Sequence, residues 1–295
     1  MWGGSVKFGY ACINMTLPTR FRTCRLKTAQ EKGLEYVKEL TLSNFQQTLD
    51  AVRWNIQHDI YFYRLSSDLV PFATHEINDW EWWEDQEVLS ITNEIKNLQE
   101  KYELRLSVHP GQYNVLNSPN PSVINNTIND LAYHKKILEA VNGQDMILHI
   151  GGVYGDKDLA IKRFAENYLK LSVGIKNLLR IENDDKSFTL SDVVRVHHLT
   201  GAPICFDIHH HNCHHNKDKL DPLLQIVWES WGDSVPKCHI SSGKNHSTDR
   251  GHHNFILEDD LDTLLGLIGQ RNVDIMFEAK LKEQSVLPLL HKQKV

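Results

Sequence analysis

The chain reads as an α/β protein, a single parallel (β/α)8 barrel over residues 1–295 with its site at the C-terminal ends of the strands. Three observations predict this. Eight short runs rich in β-branched and aromatic residues punctuate the sequence, segments with helical spacing separate them, and every run ends in a residue capable of chemistry. Strand followed by helix, repeated, favours parallel strands joined by crossover helices. A doubly wound sheet would gather its site at one crevice, whereas polar groups spread over all the strand ends suit a closed barrel whose mouth collects them.

In chain order, VKFGYA from 6 carries Tyr10 and leads to Asn14, and IYFYRLSS from 60 ends in Arg64 and Ser66. RLSVH from 105 ends at His109, MILHI from 146 reaches His149, and LLRIEN from 178 reaches Glu182. PICFDIH from 203 reaches Asp207, PKCHIS from 236 reaches His239, and VDIMFEA from 273 reaches Glu278. Between them, helical spacing predicts helices over 44–57, 88–102, 128–141, 160–178, 190–199, 220–231 and 259–269. Thr189 with Asp192 before VVRVHHL predicts a capping box.

Composition narrows the class. A hydrophobic fraction of 41% with 24% charged residues fits a globular chain, and no apolar run is long enough to span a bilayer. MWGGSVKFGYACINM lacks the charged start and apolar block of a secretory signal. Five cysteines, an odd number without a C-x-x-C pair, indicate neither a disulfide framework nor a zinc finger, so the expected compartment is the cytoplasm. No membrane and no obligate protein partner is implied. A net charge of -6 argues against gripping nucleic acid with a broad basic face.

Glu182 and Glu278 follow apolar runs, where a carboxylate needs a partner, and a divalent cation is the simplest one. His109, His149 and His239 bring imidazoles from other strands. The stretch CFDIHHHNCHH (205–215) contributes Asp207 with one or two of His209, His210 and His211; ideal strand alternation favours His209. His214 and His215 read as solvated. Carboxylate and imidazole donors without cysteine suit Mn, Zn or Fe, and Cys205 and Cys238 are expected to face away as core residues. Lys237, two residues before His239, shares its face and is aimed at the metals. An ammonium there would be repelled, so it either meets a substrate phosphate or is carboxylated into an anionic ligand. Pro-Gly after His109 should turn the chain and present Gln112 and Tyr113 at the rim. INDWEWWEDQ (77–86) reads as loop packing, because its acids oppose a phosphate backbone.

At SVHPGQY (107–113), with GYACINMTL, RLSSDLVP, LHIGG, IEND, FDIHHH, PKCHIS, RGHHNFI and MFEAK in order, the chain resembles the ultraviolet damage endonuclease family from about residue 6 to 280. The resemblance implies a TIM barrel related to endonuclease IV that holds two or three divalent ions, usually Mn2+, with Zn2+ or another ion as alternatives. The implied substrate is UV-damaged double-stranded DNA, nicked immediately 5′ to cyclobutane dimers or 6-4 photoproducts. Metal-activated hydroxide would attack the phosphodiester and leave a 3′ hydroxyl and a 5′ phosphate.

The implied metal ligands are His109, His149, Glu182, Asp207, His210, His239, His252 and Glu278, with Lys237 and Glu182 as catalytic groups. The resemblance thus prefers His210 to His209. It also prefers His252 to His253, although RGHHNFI departs from the family's usual His, small residue, Asp. Tyr10 and Asn14 are implied to line the lesion pocket, Gln112 and Tyr113 to probe the duplex, and His75 to border the site. Residues 18–40, with six Lys or Arg against three Glu, read as a loop along the DNA backbone. The nearest alternative is an abasic-site endonuclease of the endonuclease IV type. A sugar isomerase wants more carboxylates than histidines, an amidohydrolase wants H-x-H on its first strand, and a non-catalytic metal store rests mainly on HHHNCHH.

Overall fold

The structure is a computed structural model and describes residues 6–18, 20–217 and 219–294; residues 1–5 and 295 of the expected domain, and Thr19 of the basic stretch, lie outside the described residues. All eight predicted strands form: β1 (Phe8–Ala11), β2 (Phe62–Arg64), β3 (Arg105–Val108), β4 (Asp145–His149), β5 (Leu179–Glu182), β6 (Ile204–Asp207), β7 (Lys237–Ile240) and β8 (Asp274–Phe277). They run parallel in sequence order, and β1 pairs with β8 to close a TIM barrel.

The helices are α1 (Leu26–Lys32), α2 (Leu34–Gln57), α3 (Gln86–Tyr102), α4 (Pro121–Val141), α5 (Lys157–Lys170), α6 (Val173–Leu178), α7 (Leu190–Thr200), α8 (Ile208–Cys213), α9 (Leu220–Glu229), α10 (Glu258–Ile268) and α11 (Glu283–Val286). No helix described is long and apolar enough to cross a membrane.

Three expectations about local structure are corrected. The helix expected over 160–178 is two, α5 and α6, because Ser172 leaves the helical path and accepts from the Ile175 amide as the cap of α6. The basic stretch is not a loop: beyond its first residues it forms α1 and the start of α2, separated by Gly33 at φ 79. The chain after Asp207 is helical too. Two other expectations hold: the Thr189–Asp192 capping box forms at the start of α7, and Trp82 packs buried against Phe45 with ring centroids 5.7 Å apart.

The main core lies between the sheet and its helices, and inside the barrel the apolar filling shrinks to a small cluster of Ala11, Phe62 and Met276. Below it, at the N-terminal ends of the strands, sits an ionic floor. Arg105 donates from Nε to Asp145 (2.8 Å) and from Nη1 to Asp274 (2.9 Å), and Arg180 reaches the other oxygen of Asp145 at 3.4 Å. Both guanidiniums lie over the Trp231 ring, 5.3 and 5.1 Å from its centroid. The interior is therefore polar at both ends; in the floor the carboxylates are matched by guanidiniums, while among the described residues the groups of donors close enough to hold a metal lie at the C-terminal end.

Candidate metal centre

Glu182 is fully buried at the end of β5, and its two oxygens face different histidines. Oε2 lies 3.1 Å from His109 Nε2 and 3.4 Å from His149 Nε2, while Oε1 lies 2.7 Å from His239 Nδ1. Neighbouring strands deliver these groups because β4 and β5 register His149 beside Glu182, and β6 and β7 register Asp207 beside His239. Donor atoms of His109, His149 and Glu182 lie within 4.8 Å of one another, as do those of Glu182, Asp207 and His210, and those of Asp207, His239 and Glu278.

Helix α8 decides between the histidines after Asp207. Asp207 caps it, accepting from the His210 amide at 2.7 Å, so the strand period ends there and His210 turns toward Glu182 and Asp207. His209 is instead buried against His252, with ring centroids 5.6 Å apart. His252 Nδ1 meets the Glu278 carbonyl, 2.7 Å away, whereas His253 Nδ1 accepts from the Phe255 amide of its own loop. Among the described residues His252 stands beside these donor groups and not within them.

The ring nitrogens carry a further signal. Nδ1 of His109, His210 and His252 each meets a backbone carbonyl, of Pro110 (3.1 Å), Asn183 (2.9 Å) and Glu278 (2.7 Å). A ring whose Nδ1–H is spent on a carbonyl keeps the Nε2 lone pair for a cation. Burial pulls the His109 pKa down to about 4, overriding Glu182, which favours the neutral ring a metal needs. At His210 burial acts in the same direction, but Asp207, Glu182 and Glu278 overrule it and hold the pKa up to about 9. That is the mark of a mouth with surplus negative potential. Asp207 Oδ2 and His239 Nε2 are buried without a hydrogen-bond partner among the described residues. The donor set therefore fits divalent metal.

Lys237 faces inward below His239, fully buried, and its Nζ has no hydrogen-bond partner among the described residues. Burial pushes its pKa down to about 8 against the pull of Asp145. Cys205 is a correction: it was expected to face the helices, yet its Sγ lies within 4.8 Å of donors of Glu182 and His239. It is two residues from Asp207, so period two places both on the inner face. Cys238, one residue from His239, faces outward and joins the core.

Tyr10 and Asn14 are also corrected. Gly9 and Ala11 take the inward positions of β1, so Tyr10 points to the helix layer, fully buried, and its hydroxyl donates to Asn55 of α2 (2.7 Å) while accepting from Asn14 (2.9 Å). Asn14 is buried and accepts from the amides of Thr16 and Leu17; both residues brace the β1 turn behind the mouth. Gln112 and Tyr113 do stand at the rim, Tyr113 84% exposed. His75 is exposed, accepts from the Ile77 amide and joins none of the donor groups. Two residues had no role assigned from sequence. Arg64 pairs with Glu278, and Asn183, legible only as the third letter of IEND, clasps the Asp207 backbone from both sides at 2.9 and 3.0 Å.

A closed parallel barrel whose mouth holds buried carboxylates ringed by imidazoles defines a barrel enzyme equipped for divalent metal. The profile of the family described as UV-endonuclease UvdE matches residues 6–295, and this chain belongs to that family of DNA-cutting enzymes. The UV DNA damage endonuclease of Bacillus pumilus (strain SAFR-032) is 36% identical over 303 residues, 96% of this chain and 92% of its own. The structure described as SacUVDE superimposes with a TM-score of 0.88 at 29% identity, covering 98% of this chain and 100% of that one. Endonuclease IV from Thermus thermophilus shares the fold, with a TM-score of 0.59 at 13% identity over 97% of this chain and 98% of its own.

Proposed function

We propose that the protein, acting as one barrel domain in the cytoplasm, nicks UV-damaged duplex DNA immediately 5′ to cyclobutane dimers and 6-4 photoproducts, leaving a 3′ hydroxyl and a 5′ phosphate. The observation that carries this reading is Glu182, buried and contacted through both oxygens by three imidazoles from other strands. His109, His149, Glu182, Asp207, His210, His239, His252 and Glu278 are the proposed ligands of two or three ions, Mn2+ preferred. When bound, such ions supply an activated water, charge relief on the nonbridging oxygens and stabilisation of the departing 3′ oxygen.

The chain's own residues do the rest. Glu182 would hold the ions through both carboxylate oxygens, since each oxygen faces a different set of histidines. Arg64 orients Glu278. Complete burial keeps Lys237 from a substrate phosphate, and a pKa near 8 leaves part of it as the neutral amine that adds CO2, so carboxylation is the better of its two readings. Gln112 and Tyr113 are proposed to enter the duplex at the lesion, offsetting part of the cost of unstacking, which damage has already lowered. Tyr10 and Asn14 act from behind by fixing the β1 turn.

The test is metal analysis paired with incision of an irradiated oligonucleotide, with undamaged and abasic duplexes alongside. Nicking confined to irradiated DNA, lost with chelator and restored by Mn2+, is expected. Incision of the abasic duplex alone would move the protein to the other repair class.

A further inference from the structure

The mouth opens sideways into a cavity of about 790 Å3 between the loop after β3, which carries Tyr113, and the loop after β4, which carries Tyr154. His149 forms part of its wall, so the cavity is continuous with the metal centre. Tyr154 is 47% exposed and lies outside the hydrophobic core, yet its backbone sits at φ 51. Left-handed backbone is uncommon and strained for a bulky aromatic residue. A loop that needed only a turn would place glycine there, as it does at Gly155.

The ring is also held in place. A Cβ on Gly152 would stand 3.1 Å from Cε2 and Cζ of Tyr154, so the ring rests against bare backbone. The Arg163 guanidinium lies 5.6 Å from the ring centroid, and its Nε donates to the Asn117 carbonyl (2.8 Å). Asn117 in turn donates to the Gly152 carbonyl (2.8 Å). An aromatic surface is thus strained into position, braced from its own loop and left half uncovered.

The wall chemistry selects the ligand. Asp130, Asp184 and Asp185 outnumber Lys186, which disfavours a phosphate backbone but leaves hydrogen-bonding edges for a neutral heterocycle. The volume exceeds what one nucleobase needs and falls within the ~300–1,000 Å3 typical of small-molecule pockets. We propose that Tyr154 is a stacking platform for a nucleobase extruded from the duplex, received in the cavity opposite Tyr113. The proposal rests on the nuclease reading above. Stacking on a fixed ring tolerates any base, so the platform contributes affinity and not sequence preference.

The test is single-turnover nicking by the metal-loaded, full-length enzyme of a duplex carrying one cyclobutane thymine dimer, with enzyme concentration varied. Tyr154→Ala should raise the half-saturating concentration about 5- to 150-fold, the equivalent of one lost base–aromatic stack, with the maximal rate within about twofold of wild type. Tyr154→Phe and Tyr154→Trp keep the ring and should bind as wild type does; thermal melting confirms that all three variants are folded. An unchanged half-saturation for Tyr154→Ala, or a Phe variant as weak as Ala, overturns the platform while leaving the nuclease reading intact. A wild-type enzyme that leaves the dimer duplex uncut overturns both.

Discussion

Glu182 concentrates the chemistry into one side chain. It is the buried carboxylate closest to three imidazoles, and its pKa is held well below the usual carboxylate range: burial alone would raise it, but the charges of His239 and His149 and the hydrogen bonds from His109 and His239 prevail. Replacing Glu182 by Ala should abolish incision of irradiated DNA, a loss of about 10³-fold or more for an interaction supplying several kcal/mol, and metal analysis of the same preparation should show fewer ions per chain. Incision at the wild-type rate would sink the proposed mechanism. Gln112→Ala combined with Tyr113→Ala should act on binding instead, weakening lesion affinity while the metal content stays at the wild-type level. Glu182 was legible in the sequence because a carboxylate that ends an apolar strand is carried into the interior and must meet a cation or donor there. Tyr10 was not. Its position in the run looked like that of the other strand-end groups, but only Gly9 and Ala11 fit inward beside Phe62, and that crowding is a property of the neighbouring strand.

At the level of elements, the strands were readable because their two-residue period and apolar content are local. The same period, applied consistently, also places Cys205 inside with Asp207. What a strand pattern cannot announce is where the strand stops: α8 begins at Ile208, capped by Asp207, and this alone exchanges His209 for His210. The ionic floor was likewise hidden, since Arg105, Asp145, Arg180 and Asp274 come from four strands. Asp145 is fully buried; burial alone would raise its carboxyl, but Arg105, then Lys237 and Arg180, hold it below the ordinary range. A carboxylate depressed in the folded state stabilises above its unfolded pKa of about 3.9, and that contribution is lost as pH falls through the folded value. Asp145→Asn should therefore cost about 3–5 kcal/mol at neutral pH, as breaking a buried pair does, and should flatten the acid limb of the stability curve. Denaturant titrations at neutral pH and below about pH 4 measure both. Gly9→Ala probes the closure of the barrel, because its Cβ would stand 2.5 Å from the Phe62 carbonyl oxygen of the adjacent strand. A loss of about 1–3 kcal/mol is expected.

For the whole molecule the governing problem is charge. A chain of net charge -6 must hold a polyanion, and three of its carboxylates, Glu182, Asp207 and Glu278, stand together in the mouth. Divalent ions would reverse the sign where the phosphodiester must sit, so one ligand set should control both stability and DNA affinity. Binding to the native state alone stabilises by about 2.7 kcal/mol when the ion is at about 100 times its dissociation constant. Chelation should therefore lower the melting temperature by several degrees, and titrating Mn2+ back should raise it with the logarithm of concentration. The Glu182→Ala variant should respond far less. In parallel, the chelated protein should bind an irradiated duplex at least about tenfold more weakly at low salt, and the gap should narrow as salt screens the phosphates. Melting and affinity both indifferent to chelator would mean that protonated histidines alone balance the carboxylates. The mouth would then be an ion-pair network, and the resemblance of its donors to a metal site would have no chemical consequence.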